Sequence, residues 1–170
     1  MDIFEDEIVY SERFYSIRVP EIKKVIGADE TERKVDDQCV REVNSHIHKM
    51  VVDYKYTPID LNDMLTVLQT GNSTIVVVEV ESNGLDRVER ALTLLVNRLE
   101  LAGCPLDHLK GLILHFQFMT EDHRPTLEEE ITIEDTLFHH VAKDCALLMG
   151  FADDSTGNKD ALTVTAIAIC

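Results

Sequence analysis

The segment from Thr74 to Val80, with the sequence TIVVVEV, limits the fold of this chain more than any other stretch. It is dense in β-branched residues, which predicts a strand that is buried on both faces. The turn-forming pair Asn83-Gly84 follows, and apolar residues then recur at helical spacing through Leu85–Leu99. A buried strand that leads into an amphipathic helix is typical of an α/β domain with helices packed on a sheet.

Strand and helix patterns continue to alternate along the rest of the chain. Strands separated by helices are expected to pair in parallel, whereas the last two strands, joined by the turn Asp153–Asn158, are predicted to form a hairpin. We therefore predict an α/β fold with a four-stranded mixed sheet packed with helices and preceded by a long helix. The predicted elements are the helices Val35–Asp53 and Leu61–Gln69, the strand Thr74–Val80, the helix Leu85–Leu99, the strand Leu109–Met119, a helix around Ile133–Lys143, and the strands Ala146–Ala152 and Ala161–Ile169.

The long helix is predicted from apolar residues three and four positions apart. These residues form one stripe, Val40, Val43, Ile47 and Met50. We expect a single globular unit made of three parts: an N-terminal strand and connection segment at 1–34, the long helix at 35–56, and an α/β domain at 57–170.

The charge of the chain limits its partners. Its 170 residues carry a net charge of −16, and its pI is near 4.7. Such a field repels phosphate backbones and anionic lipid surfaces, so nucleic acid and membrane partners are not expected. A basic protein surface is the natural partner, although solubility alone also accounts for the charge.

The cysteines indicate a reducing compartment. Cys39, Cys104, Cys145 and Cys170 lie far apart and form no CxxC pair, and the acidic N-terminus has no signal-peptide pattern. We therefore expect reduced thiols and a cytoplasmic location. No apolar run approaches the ~20 residues that a membrane-spanning helix needs.

Several stretches, taken in order, resemble the central helix and C-terminal domain of the FtsZ/tubulin family. The resemblance covers most of the chain and implies the same α/β fold; its first stretch is similar to a strand-proline-helix run of the family. The stretches are Ile17–Gly27, the helix Val35–Asp53, the loop Ile59–Met64, Asp86–Ala91 (DRVERA), Lys110–Leu114 (KGLIL), Asp144–Gly150 (DCALLMG) and Ala161–Ala168 (ALTVTAIA).

The nucleotide site of that family has no counterpart in this sequence. The site depends on a glycine-rich loop whose backbone N–H groups cradle phosphates. The seven glycines here are never adjacent, and the guanine-contacting asparagine of the family is missing from Lys34–Asp37. The resemblance thus implies a chain that starts near the end of the GTPase domain, and we expect no GTP binding, no other cofactor and no catalysis in cis.

One loop carries the functional residues that the resemblance implies. In the family a loop with the pattern Asn-x-Asp-x-x-Asp enters the nucleotide face of the next subunit, where a carboxylate orients the attacking water. The corresponding residues here are Pro58, Ile59, Asp60, Leu61, Asn62 and Asp63. Pro58, Asp60, Asn62 and Asp63 are the implied partner-binding residues, and Asp60 and Asp63 could act in trans.

A structural explanation of these aspartates remains open. Asp60 is well placed as the N-cap of the short helix, and Asp63 has the position of the acidic member of a capping box. Pro58 also replaces the asparagine of the family pattern. Capping alone and a partner-facing role are therefore both compatible with the sequence.

Other candidate chemistry is weaker. His46 and His48, like the adjacent His139 and His140, point in different directions, and no histidine or cysteine set has zinc spacing, so no metal site is expected. His115 alternates with apolar residues in a strand, which predicts a core or sheet-face histidine. No serine or cysteine lies in a GxSxG context.

Three functions are compatible with the sequence. The first is a non-nucleotide-binding FtsZ-like regulator, cap or scaffold of FtsZ-type filaments that acts through protein contacts. The second is a self-assembling homo-oligomer, because without a partner domain the stripe of Val43, Ile47 and Met50 is expected to be exposed, unless the N-terminal 16 residues fold over it. The third is a small-molecule-binding protein or enzyme, which rests on fold analogy alone.

Overall fold

The computed structural model describes residues 22–27, 32–52, 59–68, 75–119, 123–153 and 160–170. Within these ranges six strands and four α-helices form one mixed α/β sheet structure, and a short 3-10 helix at Leu106–His108 precedes the fourth strand. The elements are β1 Ile22–Ile26, β2 Glu32–Arg33, α1 Asp37–Val52, α2 Leu61–Leu68, β3 Ile75–Ser82, α3 Arg87–Leu101, β4 Gly111–Phe118, α4 Leu127–His140, β5 Ala146–Asp153 and β6 Leu162–Ile169.

The strand order is β2-β1-β3-β6-β4-β5. β6 lies between β3 and β4 and is antiparallel to both over its whole length. β1 is parallel to β3, β5 is parallel to β4, and β2 is antiparallel to β1. The predicted mixed sheet packed with helices is confirmed, with six strands in place of four.

The extra strands and the position of β6 correct the sequence prediction. β1 occupies Ile22–Ile26, where the resemblance implied a helix after Pro20, and β2 lies in the predicted connection. The predicted hairpin of the last two strands is wrong, because β6 pairs with β3 and β4, whereas β5 pairs with β4. A central position gives β6 two hydrogen-bonded neighbours, and it buries the apolar residues on both of its faces.

Two apolar clusters cover the two faces of the sheet. On the first face, α3 and α4 pack on alternate strand residues such as Val78, Leu114 and Phe116. On the second face, α1 and α2 pack on the intervening residues, including Val77 and Ile113. β3 is therefore buried on both faces, as its β-branched sequence predicts.

The apolar stripe of α1 lies inside the molecule. Val43, Ile47 and Met50 are buried in the cluster on the second face of the sheet. The expectation that they form an exposed patch is therefore wrong, because the sheet itself covers them. Asp36 fixes the start of α1: its Oδ1 accepts a hydrogen bond from the Cys39 backbone N at 2.9 Å, which lowers the pKa of the Asp36 carboxyl.

Two of the four cysteines are paired. Cys104 and Cys170 form a disulfide with a Cα–Cα distance of 5.8 Å, so the prediction of four reduced thiols is wrong for this pair. The partners meet because the end of β6 lies beside the start of β4, where Lys110 N donates to Ile169 O at 2.8 Å. Cys39 and Cys145 are free.

Candidate functional site

The loop that the sequence singles out is fixed by two buried residues. Ile59 and Met64 both belong to the apolar cluster on the second face of the sheet. The Ile59 backbone N donates to Met50 O at 3.1 Å, which ties the loop to the last turns of α1. The segment between these anchors is thus held in a defined position on the molecule.

Asp60 caps α2. Its Oδ1 accepts hydrogen bonds from the backbone N–H groups of Asn62 at 2.9 Å and Asp63 at 3.1 Å, and its carbonyl accepts from Met64 N at 2.9 Å. The predicted N-cap geometry is therefore present. The return bond of a capping box, from Asp60 N to the Asp63 carboxylate, is absent within the described ranges.

The polar side chains of the loop face outward. Asp60, Asn62 and Asp63 are exposed, whereas Pro58 lies outside the described residues. Capping engages Oδ1 of Asp60, but Oδ2 and the carboxylate of Asp63 make no hydrogen bond or ion pair to any described residue. Two acidic groups within one helical turn are thus available to accept hydrogen bonds from a partner or to orient a water molecule.

A second polar site lies on the same face of the sheet as the loop and α2. It is located between α1, β1, β3 and β6. It is a cavity of about 210 Å³ with largely aliphatic walls, among them Val25, Ile47 and Ile167. Its polar lining is Arg33, Glu42, His46, Glu79 and Thr165, of which Arg33 and Glu42 form an ion pair at 2.5 Å.

A row of polar residues crosses the sheet at this cavity. Thr165 pairs in register with Glu79 on one side and with His115 on the other. Thr165 and His115 are 3% and 2% exposed, and neither Thr165 Oγ1 nor His115 Nδ1 has a hydrogen-bond partner among the described residues. The prediction of a buried sheet histidine is confirmed.

Burial shifts the pKa values of the two titratable residues in this row, His115 and Glu79. Desolvation, together with the nearby His46 ring, lowers the pKa of His115 to about 4. Desolvation and the charge of Glu81 raise the pKa of Glu79. This grouping was not predictable from the sequence, because cross-strand neighbours are distant in the chain and only the sheet order brings them together.

In the described residues, neither a group of three metal-ligating side chains nor a membrane-spanning helix is found. No three His, Cys, Asp or Glu side chains in the described part of the chain are arranged to hold a metal ion. No helix in the same residues is long and apolar enough to cross a bilayer.

Comparison with known proteins identifies the fold. No protein-family profile and no curated protein matches the sequence. The structure is similar to a point mutant of FtsZ from M. jannaschii, with 14% identity, a TM-score of 0.59, and coverage of 81% of this chain and 42% of that one. It is also similar to an empty FtsZ dimer from M. jannaschii, with 14% identity, a TM-score of 0.56, and coverage of 79% and 40%.

A third similar structure is TubZ-Bt in a four-stranded filament, with 16% identity, a TM-score of 0.50, and coverage of 78% of this chain and 34% of that one. The chain therefore spans less than half the length of each of these proteins. At such low identity the likeness establishes the fold and leaves function to be argued from the site. This chain has an FtsZ/tubulin-like fold.

Proposed function

We propose that this chain is a cytoplasmic FtsZ-like protein that regulates or caps FtsZ-type filaments by binding their subunits, without binding or hydrolysing nucleotide itself. The binding surface in this proposal is the loop face, defined as Asp60, Asn62 and Asp63. The observation that supports it is the exposure of these polar groups between the buried anchors Ile59 and Met64 in an FtsZ-like fold.

The proposed capping of filaments requires a molecule that has the loop face of a filament subunit but lacks its nucleotide face. The similar proteins are described as an FtsZ dimer and a TubZ filament, so chains of this fold do assemble. A molecule with a loop face binds the nucleotide face at one filament end. Because this sequence has no glycine-rich phosphate loop, it offers the next subunit no nucleotide face, and growth stops at that end.

The charges of the loop face favour a partner with exposed hydrogen-bond donors. Asp63 and Oδ2 of Asp60 remain open to such donors, and a carboxylate beside a γ-phosphate also orients the attacking water. Pro58 stands where the family pattern has asparagine. We therefore place more weight on binding than on activation of the partner's GTPase.

The test is the effect of this protein on FtsZ from the same cell. We expect substoichiometric amounts to change GTP turnover and to lower polymer light scattering. Asp63→Ala removes one carboxylate, and Asp60→Ser removes the other while keeping an N-cap side chain. The double variant is expected to lose at least about tenfold in apparent affinity, because it removes the charged groups that meet the partner.

Asp107→Ala is the matched control, because it removes an exposed carboxylate from the 3-10 helix, whose Leu106 packs in the cluster on the opposite face of the sheet from Ile59 and Met64. It should act on FtsZ like the wild type. Equal potency of the wild type and the double variant would show that the loop face is not the binding surface.

Self-assembly is the alternative function, but the exposed apolar stripe on α1 that favoured it is not present. Val43, Ile47 and Met50 are buried, so these three residues form no apolar patch for a second copy. Sedimentation at rising protein concentration separates the two functions. A stable homo-oligomer that leaves FtsZ turnover unchanged would favour self-assembly.

A further inference from the structure

The outer face of α4 carries an apolar stripe that the loop-face proposal does not use. Leu127, Ile131 and Phe138 are 72%, 49% and 85% exposed. Residues four and seven positions apart lie on the same side of a helix, so the three side chains form one line, called here the α4 stripe. Ile133 and Leu137 bury a different face of the helix in the core, centred about 120° around the helix axis, so the α4 stripe is not the face that packs on the sheet.

Carboxylates border the α4 stripe on both sides. At 100° per residue, Glu128 and Asp135 lie along one side and Glu130 and Glu134 along the other. All four are exposed, and α4 contains no lysine or arginine. An apolar surface with a polar rim marks a binding site more often than scattered apolar residues do.

We propose that the α4 stripe binds a partner protein through an amphipathic helix whose apolar residues are flanked by lysine and arginine. Such a helix matches the surface in two ways, because its apolar side chains cover Leu127, Ile131 and Phe138 while its cations meet the four carboxylates. Helix-on-helix recognition of this kind uses anchors at three- and four-residue spacing.

Charge disfavours a second copy of this chain and its N-terminal segment as occupants. A second copy has a net charge of −16 and would bring a like rim of carboxylates against the first. Residues 1–21 contain six acidic residues and two arginines, a net charge of −4. A basic partner is the occupant that the surface favours.

The α4 stripe and the loop face lie on opposite sides of the sheet. α4 packs on the first face through Ile133 and Leu137, whereas α2 packs on the second face through Met64 and Leu68. One molecule can therefore hold both partners at once, and loss of one interaction leaves the other intact.

The experiment measures binding of a labelled leucine/lysine peptide of about 14 residues, roughly four helical turns, by fluorescence anisotropy. We expect the Ile131→Ser/Phe138→Ser variant to bind at least about tenfold more weakly, as loss of apolar anchors predicts. Glu130→Gln/Glu134→Gln should weaken binding and reduce its dependence on salt. Circular dichroism confirms that the variants fold.

Leu85→Ser is the matched control, since it removes a fully exposed leucine outside α4. It should bind the peptide like the wild type. Equal binding of the peptide by all variants would show that the α4 stripe is not the binding surface. It would leave only general attraction by the net charge and overturn the proposal. A wild-type dimer that Phe138→Ser dissociates would also overturn it, because the occupant would then be a second copy.

Discussion

His115 is a buried base near the middle of the sheet. Its pKa is about 4, below the ordinary value of 6.5, because burial disfavours the charged ring and His46 lies 6.0 Å away between ring centroids. Between these values the unfolded chain binds a proton that the native protein does not. Stability contributed by neutral His115 is therefore lost as pH falls from about 6.5 to about 4, by on the order of 3 kcal/mol.

Urea denaturation across this pH range, compared between the wild type and His115→Gln, measures the effect. The variant is expected to have a flatter dependence on pH. The wild type must be compared with the variant because Glu79 also titrates, with the opposite sign. Its pKa is raised, so the native protein binds this proton more readily than the unfolded chain, and the contribution of Glu79 to stability falls as pH rises. Equal slopes for both proteins would mean that His115 is not a buried neutral base.

The Cys104–Cys170 disulfide closes a long loop, with a sequence separation of 66. Cys104→Ser is expected to lower the free energy of unfolding by roughly 2–4 kcal/mol, because the unfolded chain regains the freedom that the link removes. Denatured protein should show two reactive thiols before reduction and four after it.

Disulfides are uncommon in a reducing cytosol, so this count, made on protein isolated with its thiols blocked, also bears on the cytoplasmic assignment. Four thiols before reduction would show that the pair is not oxidised in the cell. The sequence could not reveal the pair, since β6 meets the loop after α3 only through the sheet order.

Arg87 joins the first turns of α3 and α4. Its Nε lies 2.9 Å from Glu129 Oε1, its Nη2 donates to His123 O at 2.7 Å, and its guanidinium lies over the Phe118 ring at 4.9 Å. The residue is buried, so Arg87→Ala leaves the Glu129 carboxylate without its charged partner. We expect a loss of roughly 3–5 kcal/mol in unfolding free energy.

Arg90→Ala is the control for this junction. Arg90 pairs with Asp86 in an exposed (i, i+4) bridge on the same helix, and such pairs contribute about 0–1 kcal/mol. Thermal denaturation of both variants checks the contrast. Similar losses of unfolding free energy for the two substitutions would show that the buried Arg87–Glu129 pair contributes no more than the exposed pair.

The helices were predictable because their signals are local. The stripe of Val40, Val43 and Ile47 placed α1 within two residues of its observed bounds. α4 begins at Leu127, earlier than the predicted Ile133, because Thr126 and Glu129 form a capping box. The Thr-x-x-Glu spacing of Thr126 and Glu129 is a sequence signal for a helix N-terminus, and it marks the observed start of α4.

The strand pairing was not predictable in the same way. β6 lies between β3 and β4. This position depends on contacts between residues that are far apart in the sequence, so no local pattern indicates it. The same position of β6 creates the buried row of Glu79, Thr165 and His115. Asp60 and Asp63, by contrast, could be identified as candidate site residues from the sequence alone, because both lie within one short loop motif.

At the scale of the whole molecule, the two proposed surfaces are both acidic and lie on opposite faces of one sheet. The loop face presents Asp60 and Asp63, and the α4 stripe is bordered by four carboxylates. With a net charge of −16, association with the basic helix proposed for the α4 stripe should be faster at low ionic strength and slower when salt screens the field.

The claim of end binding is tested most directly by counting molecules of this protein on FtsZ filaments. Labelled protein is mixed with filaments at one FtsZ concentration, before and after shearing has raised the number of ends. If the protein binds filament ends, the bound amount rises with the number of ends, and Asp60→Ser/Asp63→Ala abolishes binding. A bound amount that depends only on total FtsZ, or is unchanged in the variant, would contradict end binding.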